Sequence, residues 1–303
     1  MLAAGLGSRL RPLTTRLPKP LVPVCGRPCV EVLLEWLVEQ GVTEIALNTH
    51  HLPAALRQAL GDGSHLGARL VWQHEDALLD GMGTLKSFEW FFGSEPALVV
   101  NGDVVCDLPL APALAEHRRR GALMTLLTVA RHGPMIHPVV WDDAGWLRGI
   151  RRTGLDDPRG RHWGVFTGLH VVEPVVWQQY IPPGRRYHLT TELLPQMLAA
   201  GQPVACHLAA GLWADIGDYA SLAAAWRAIL ATRSDRYLRG AQEIAPGVWM
   251  RGQARVAGEI CPPVYLEEGA VVSPGATLGP YAALLAGQVL RAGEHLAYDL
   301  RGL

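Results

Sequence analysis

A chain of 303 residues, 49% of them hydrophobic and with slightly positive mean hydropathy, can bury one large domain or a large and a small one. Its 27 basic and 28 acidic residues nearly cancel, which removes the electrostatic reason to expect nucleic acid or an anionic membrane as partner. No uncharged apolar run approaches the roughly 18 residues of a membrane span, and no basic-then-apolar leader opens the chain; of five cysteines (Cys25, Cys29, Cys106, Cys206, Cys261) only Cys25 and Cys29 lie close together, with no second ligand pair nearby, so they read as free thiols in a reducing cytoplasm.

From the start of the chain, a short apolar stretch gives way to a loop rich in glycine and proline that runs to about Gly26. Val30, Leu33, Leu34, Leu37 and Val38 then recur at helical spacing, with Pro28 before them and Gly41 as the stop. Residues 44–49 read as a strand, 53–60 as a helix, 68–73 as a strand, 84–92 as a helix and 97–100 as a buried strand. Helix 111–120, ending in the basic run His117 to Arg120, and strand 122–130 continue the alternation; Asp142 to Gly145 reads as a hairpin turn. This spacing predicts an α/β fold with a doubly wound, mostly parallel sheet over residues 1–235. Beyond it the pattern changes. Ile260, Leu266, Val272, Leu278, Leu284, Leu290 and Leu296 recur every six residues, and the small residues Val264, Ala270, Ala276 and Ala282 fall four positions after the first four of them. A six-residue period fits neither helix nor ordinary strand; it fits the sides of a parallel β-helix over residues 245–303, with two to three coils.

The loop carries the chemistry. Gly5-x-Gly7 presents backbone N–H groups suited to phosphate, and Arg9, Arg11 and Lys19 cluster around it. Neither the dinucleotide fingerprint nor the Walker A loop is present, because Leu10 stands where a third glycine is needed and no Gly-Lys-Ser/Thr follows. Lys19 and Lys86 are the only lysines in a chain that otherwise uses arginine, which hints that a compact ammonium is needed where one is kept.

The run from Leu2 to Thr14 (LAAGLGSRLRPLT) with Pro18-Lys19-Pro20 resembles the signature of the sugar-1-phosphate nucleotidyltransferases, and the hexad tail resembles the left-handed β-helix that many members carry. Three further segments match: Asn101-Gly102-Asp103, Thr167-Gly168-Leu169 and Trp213-Ala-Asp215-Ile-Gly217. The resemblance implies transfer of a nucleotidyl group from an NTP to a sugar 1-phosphate, as in the mannose-1-phosphate guanylyl-, glucose-1-phosphate thymidylyl- and MurNAc-1-phosphate uridylyltransferases. It implies Mg²⁺ on Asp103 and Asp215, with Arg9 and Lys19 as catalytic residues. It places the nucleotide on Leu2, Ala3, Ala4, Gly5, Gly7, Ser8, Arg9, Glu75, Gly81 and Gly102, the base being chosen by the stretch from His74 to Thr84. By the same resemblance Gly168 would meet the sugar; apart from it, Glu192 is a candidate acceptor for a sugar hydroxyl, and the ten tryptophans read mostly as core or rim packing, with Trp163 and Trp213 as candidates to flank the sugar. The bland readings stand beside these: Thr84 or Asp80 as a helix N-cap, and Glu192 as a first-turn acid.

Three departures mark this chain. The strand entering the glycine loop is longer in the family than Met1 and Leu2 allow, so the sequence reads as starting inside it. The family's Glu-Lys-Pro sugar-phosphate segment is not visible, and Arg151-Arg152-Thr153 stands roughly there, with Arg152 read either as a replacement phosphate clamp or as part of a solvated charge pair. His137-Pro138 stands where a glycine N–H commonly meets the sugar, and proline has none to give. Two rival functions follow, a slow regulatory homologue that binds NDP-sugar and an acyltransferase built on the tail. The intact Arg9, Lys19, Asp103 and Asp215 argue against the first. His295 alone in a short tail argues against the second, and leaves the tail a homo-oligomer contact instead.

Overall fold

The computed structural model describes residues 1–130, 138–150, 154 and 156–302. In chain order, hairpin strands β1 (Pro23–Val24) and β2 (Arg27–Pro28) lead into α1 (Cys29–Glu39), β3 (Glu44–Thr49), α2 (Pro53–Leu60), β4 (Arg69–His74), α3 (Asp80–Ser87), α4 (Glu89–Phe92) and β5 (Ala97–Val99). There follow β6 (Val104–Cys106), α5 (Ala111–Arg120), β7 (Met124–Val129), β8 (Pro138–Trp141), β9 (Leu147–Ile150), β10 (His162–Val172), α6 (Pro174–Gln179), α7 (Leu194–Ala199), β11 (Val204–Ala209), β12 (Trp213–Asp215), α8 (Tyr219–Thr232) and α9 (Asp235–Leu238). Pro53, Pro112 and Pro174 sit in first helical turns, where no intrahelical N–H is lost. Contacts divide the chain into two compact units, Met1–Leu6 with Trp36–Gly102 and Leu108–Gly211, and Gly7–Glu35 with Asp103–Asp107 and Leu212–Leu303.

In the first unit, β10 is the organising strand. One of its edges pairs with β7; the other pairs with β8 and then β5, all antiparallel, while β7–β11 and β3–β4 are parallel. The sheet is therefore mixed, which corrects the expectation of a mostly parallel one. The cause is local: β8 and β9 are joined by the tight turn at Asp142 to Gly145, and β10 returns with no helix before it among the described residues. A parallel return needs a crossover, usually helical. Met82, Leu126, Trp141, Phe166, Trp177 and Met197 belong to the core on this sheet. His117, expected in a solvated helix end, is instead 2% exposed. Its Nδ1 meets Thr125 Oγ1 at 2.8 Å and its Nε2 meets Glu173 Oε1 at 3.0 Å, which ties α5 to β7.

In the second unit, β6 and β12 pair antiparallel with Asp215 opposite Val104. Helix α8 opens on a capping box between Asp218 and Ser221 and buries Leu222, Ala225, Trp226 and Ile229, one helical face. The tail forms three parallel ladders: Val248–Met250, Val264–Leu266, Ala282–Leu284 and Leu300–Arg301; Arg255–Val256, Val271–Val272 and Val289–Leu290; and Glu259–Ile260, Thr277–Leu278 and His295–Leu296. Val264 pairs with Ala282, Val271 with Val289 and Thr277 with His295, each eighteen residues on, so three hexads separate stacked strands. Both the aliphatic and the small series line one core between the ladders. Outward-facing Tyr265 meets Trp226 of α8 edge-on, with ring centroids 5.0 Å apart. No helix among the described residues is long and apolar enough to cross a membrane.

Candidate active site

The second unit gathers the charged residues. Gly7, at φ +62°, starts the tight turn Ser8–Leu10, and its carbonyl accepts a hydrogen bond from Thr14 Oγ1 at 2.7 Å. A Cβ on Gly7 would lie 2.8 Å from Thr14 Cγ2, so both conformation and space demand glycine. Buried Leu10 anchors the turn and leaves Ser8 and Arg9 exposed at its start, where backbone N–H groups lack intrahelical partners. Further along the loop, Lys19 is held between two prolines in the turn Lys19–Leu21 and is only 7% exposed. Its ammonium donates to Asp103 Oδ2.

Asp103 immediately precedes β6 and Asp215 ends β12; the Ile216 N–H donates to the Asp103 carbonyl at 3.3 Å, closing this end of the pair. Burial, and then the charge of Asp103, raise the Asp215 carboxyl above its ordinary pKa, against the opposing pull of Lys19 and Arg9. Asp218 behaves oppositely. The Ser221 backbone N–H at 2.8 Å and the Ser221 hydroxyl hold its carboxyl low, with help from Arg9, whose Nη1 lies 3.7 Å away. Between these acids, a Cβ on Gly217 would stand 2.7 Å from Asp215 Oδ2 and 3.0 Å from Arg9 Nη2, so a side chain here would have to displace the Asp215 carboxylate or the Arg9 guanidinium. The thiol of Cys29 donates to the Val104 carbonyl at 3.3 Å and burial pushes its pKa up, a packed thiol rather than a nucleophile.

This donor set fits Mg²⁺. Two carboxylates close enough for one to raise the pKa of the other are hard oxygen ligands that a dication would relieve. Among the described residues no group of three or more His, Cys, Asp or Glu side chains is arranged to hold a metal alone. Substrate oxygens and water would complete the shell, the usual habit of Mg²⁺.

The first unit carries the start of the glycine loop and the other expected contacts. The Leu2 N–H donates to the Val100 carbonyl and the Gly102 N–H to the Leu2 carbonyl, both at 2.8 Å, so Leu2 lies beside Asn101 in parallel register. Ala3 and Ala4 are buried and Gly5 is exposed. Gly81, in the first turn of α3, packs against Leu2, whose Cδ1 lies 2.9 Å from where a Cβ would stand. Gly168 occupies the bulge of β10 between Phe166 and His170, against the side chain of Asn101. Glu192 lies in a single wide turn, Leu189–Leu193; it accepts the His188 N–H at 2.7 Å and faces Arg185 at 3.4 Å. Arg152, with His137, lies outside the described residues. Trp163 is half exposed.

Neither Asp80 nor Thr84 caps α3, contrary to the bland reading. Asp80 is already inside the helix, at φ +56°, and pairs with Arg186. Thr84 is 1% exposed and donates to Glu75 Oε1 at 2.5 Å. Glu75, expected at the nucleotide, is itself 3% exposed and turned into a buried network. Two residues were missed by sequence reasoning. Asp218 follows Trp213-Ala-Asp215-Ile-Gly217 directly, and its signal is an acid next to a motif that already holds one. Asn48 sits at the end of β3; an amide in an apolar strand was the clue to it.

The chain matches a family model described as nucleotidyl transferase over residues 1–144. It is 30% identical to a UTP–glucose-1-phosphate uridylyltransferase of Synechocystis, the match covering 96% of this chain and 80% of that one. It is equally 30% identical to a mannose-1-phosphate guanylyltransferase of Mycobacterium tuberculosis, over 92% of this chain and 72% of that one. In fold it matches the crystal structure of HddC from Yersinia pseudotuberculosis complexed with GMP-PN, with a TM-score of 0.62 at 20% identity over 74% of this chain and 95% of that chain.

Proposed function

The chain belongs to the sugar-1-phosphate nucleotidyltransferase family, and from that premise we propose that Arg9, Lys19, Asp103 and Asp215 carry its reaction with the help of Mg²⁺. The reaction transfers a nucleotidyl group from an NTP to a sugar 1-phosphate, giving NDP-sugar and pyrophosphate. The observation that supports the assignment of residues is that Lys19 donates to Asp103 and that Asp103 and Asp215 stand at one end of the β6–β12 pair, three residues far apart in sequence.

The nucleophile is a phosphate monoester whose second pKa is about 6, so it arrives ionised and needs no general base. What the protein must supply is alignment and positive charge. The exposed N–H groups around Gly5 to Arg9 cradle the triphosphate, and Arg9 draws on the departing pyrophosphate. Lys19 has three donors, so it keeps Asp103 while giving one to the α-phosphate. Asp103 and Asp215 would hold Mg²⁺, which when bound neutralises charge on the reacting phosphates. Gly168 and Glu192 take the sugar, with Arg152 on its phosphate. The three tail ladders are proposed to close as a left-handed β-helix over residues 245–303, following the catalytic segment 1–235 and serving contact between copies of the chain.

The test is pyrophosphate release with four NTPs crossed against a panel of sugar 1-phosphates. One NTP–sugar pair is expected to stand out, and EDTA to abolish it. Release that is unchanged by EDTA would remove the metal from the account, and silence across the panel would remove the assignment of these residues to transfer.

A further inference from the structure

The buried network around Asn48 joins three stretches of the first unit. Ala3, where the chain enters the glycine loop, donates its backbone N–H to Asn48 Oδ1 at 2.7 Å. The other face of the same amide donates from Nδ2 to Glu75 Oε1 at 2.9 Å and to Thr84 Oγ1 at 3.1 Å. Thr84 Oγ1 donates to Glu75 Oε1, and Glu75 Oε2 accepts the Leu79 N–H at 3.0 Å, at the threshold of α3. Asn48, Glu75 and Thr84 are each no more than 4% exposed. Every polar atom that matters here has a partner, and a fully satisfied buried network fixes geometry.

The chemistry at this position selects asparagine. Ala3 needs an acceptor and Glu75 needs a donor, at opposite sides of one short planar group. Aspartate would accept from Ala3 but set a second carboxylate against Glu75. Alanine would leave the Ala3 N–H buried without its acceptor and strip Glu75 Oε1 of one of its two donors, leaving Thr84 Oγ1 alone on it. We propose that Asn48 is a positioning residue of the nucleotide site, holding the first glycine loop in register with the 75–84 loop, and that Glu75 acts through this network. This rests on the reading of both loops as nucleotide contacts.

The experiment measures binding of Mg·UTP and Mg·GTP by calorimetry, together with steady-state kinetics and melting, for the wild type, Asn48→Ala, Thr84→Ala and Thr84→Ser. Asn48→Ala is expected to raise the Kd and KM of the productive nucleotide about tenfold or more, while kcat and the KM for sugar 1-phosphate stay within about threefold. Thr84→Ala should move the nucleotide constants the same way by less, and Thr84→Ser, which keeps the hydroxyl, should restore them. If Asn48→Ala does not fold, the two Thr84 variants decide alone. Lower melting with unchanged nucleotide binding, or an equal fall in every kinetic constant, would overturn the proposal by reducing the network to a structural one. Because binding is read separately from turnover, failure of the transfer reading would show in the wild type and leave this result distinct.

Discussion

Asp215→Asn is expected to lower turnover about a thousandfold and yet raise the melting temperature of the metal-free protein at neutral pH. The sign follows from the raised pKa of Asp215, caused first by burial and then by Asp103. A carboxyl raised by folding contributes its stability below its unfolded pKa, about 3.9, and loses it as pH climbs through the folded value. At neutral pH the ionised group therefore opposes folding, and an amide of the same shape removes the burden. The gain should shrink as the pH is lowered towards the unfolded value, and saturating Mg²⁺ should narrow it by stabilising the wild type alone. Melting curves of both proteins across pH, with and without Mg²⁺, check this. A variant that melts lower at neutral pH, or that keeps its turnover, contradicts the assignment.

Lys19→Met should combine a loss of turnover of about a thousandfold with a loss of stability, because two roles meet on one ammonium. The Lys19 side chain is 9% exposed and that of its partner Asp103 27%. Removing one member of a largely buried pair costs about 3 kcal/mol, chiefly because the other charge is left without compensation. Asp215 stands in the same field and would suffer too. The double variant Lys19→Met with Asp103→Asn separates the roles: stability should return towards wild type while turnover stays lost. Arginine should not substitute, since at this buried, proline-flanked position a planar fork would replace the compact ammonium that meets Asp103. Denaturant titration and initial rates on the four proteins decide it, and recovery of turnover in the double variant would deny Lys19 its place at the α-phosphate.

The parts of the site that were legible in the sequence are those written in short contiguous strings. The loop from Leu2 to Lys19, Asn101-Gly102-Asp103 and Trp213 to Gly217 could each be matched, as a string, to the signature of the family the chain resembles. Strand direction was not legible. The apolar runs that became β5, β7 and β10 look alike whichever way they point, and the mixed sheet depends on how β10 returns. The hexad repeat was visible from Ile260 onward because its corners are of one length there. It was hidden before that point because Val256 and Ile260, stacked on Val272 and Leu278, are only four residues apart. His117 hid inside a basic run: composition pointed it to solvent, while its place on α5 turned it to Thr125. Asn48 hid in an apolar strand, and only its partners show what an amide does there.

The most direct test of the account follows the oxygen atoms. A sugar 1-phosphate carrying heavy oxygen throughout its phosphate is converted with the matching NTP and Mg²⁺, and the products are read by phosphorus NMR. Attack by the sugar phosphate on the α-phosphorus places a labelled oxygen in the bridge, so both phosphorus signals of the NDP-sugar should show the isotope shift. The pyrophosphate should form in equal amount and carry none. Label in the pyrophosphate, or free phosphate from hydrolysis in place of NDP-sugar, would contradict it.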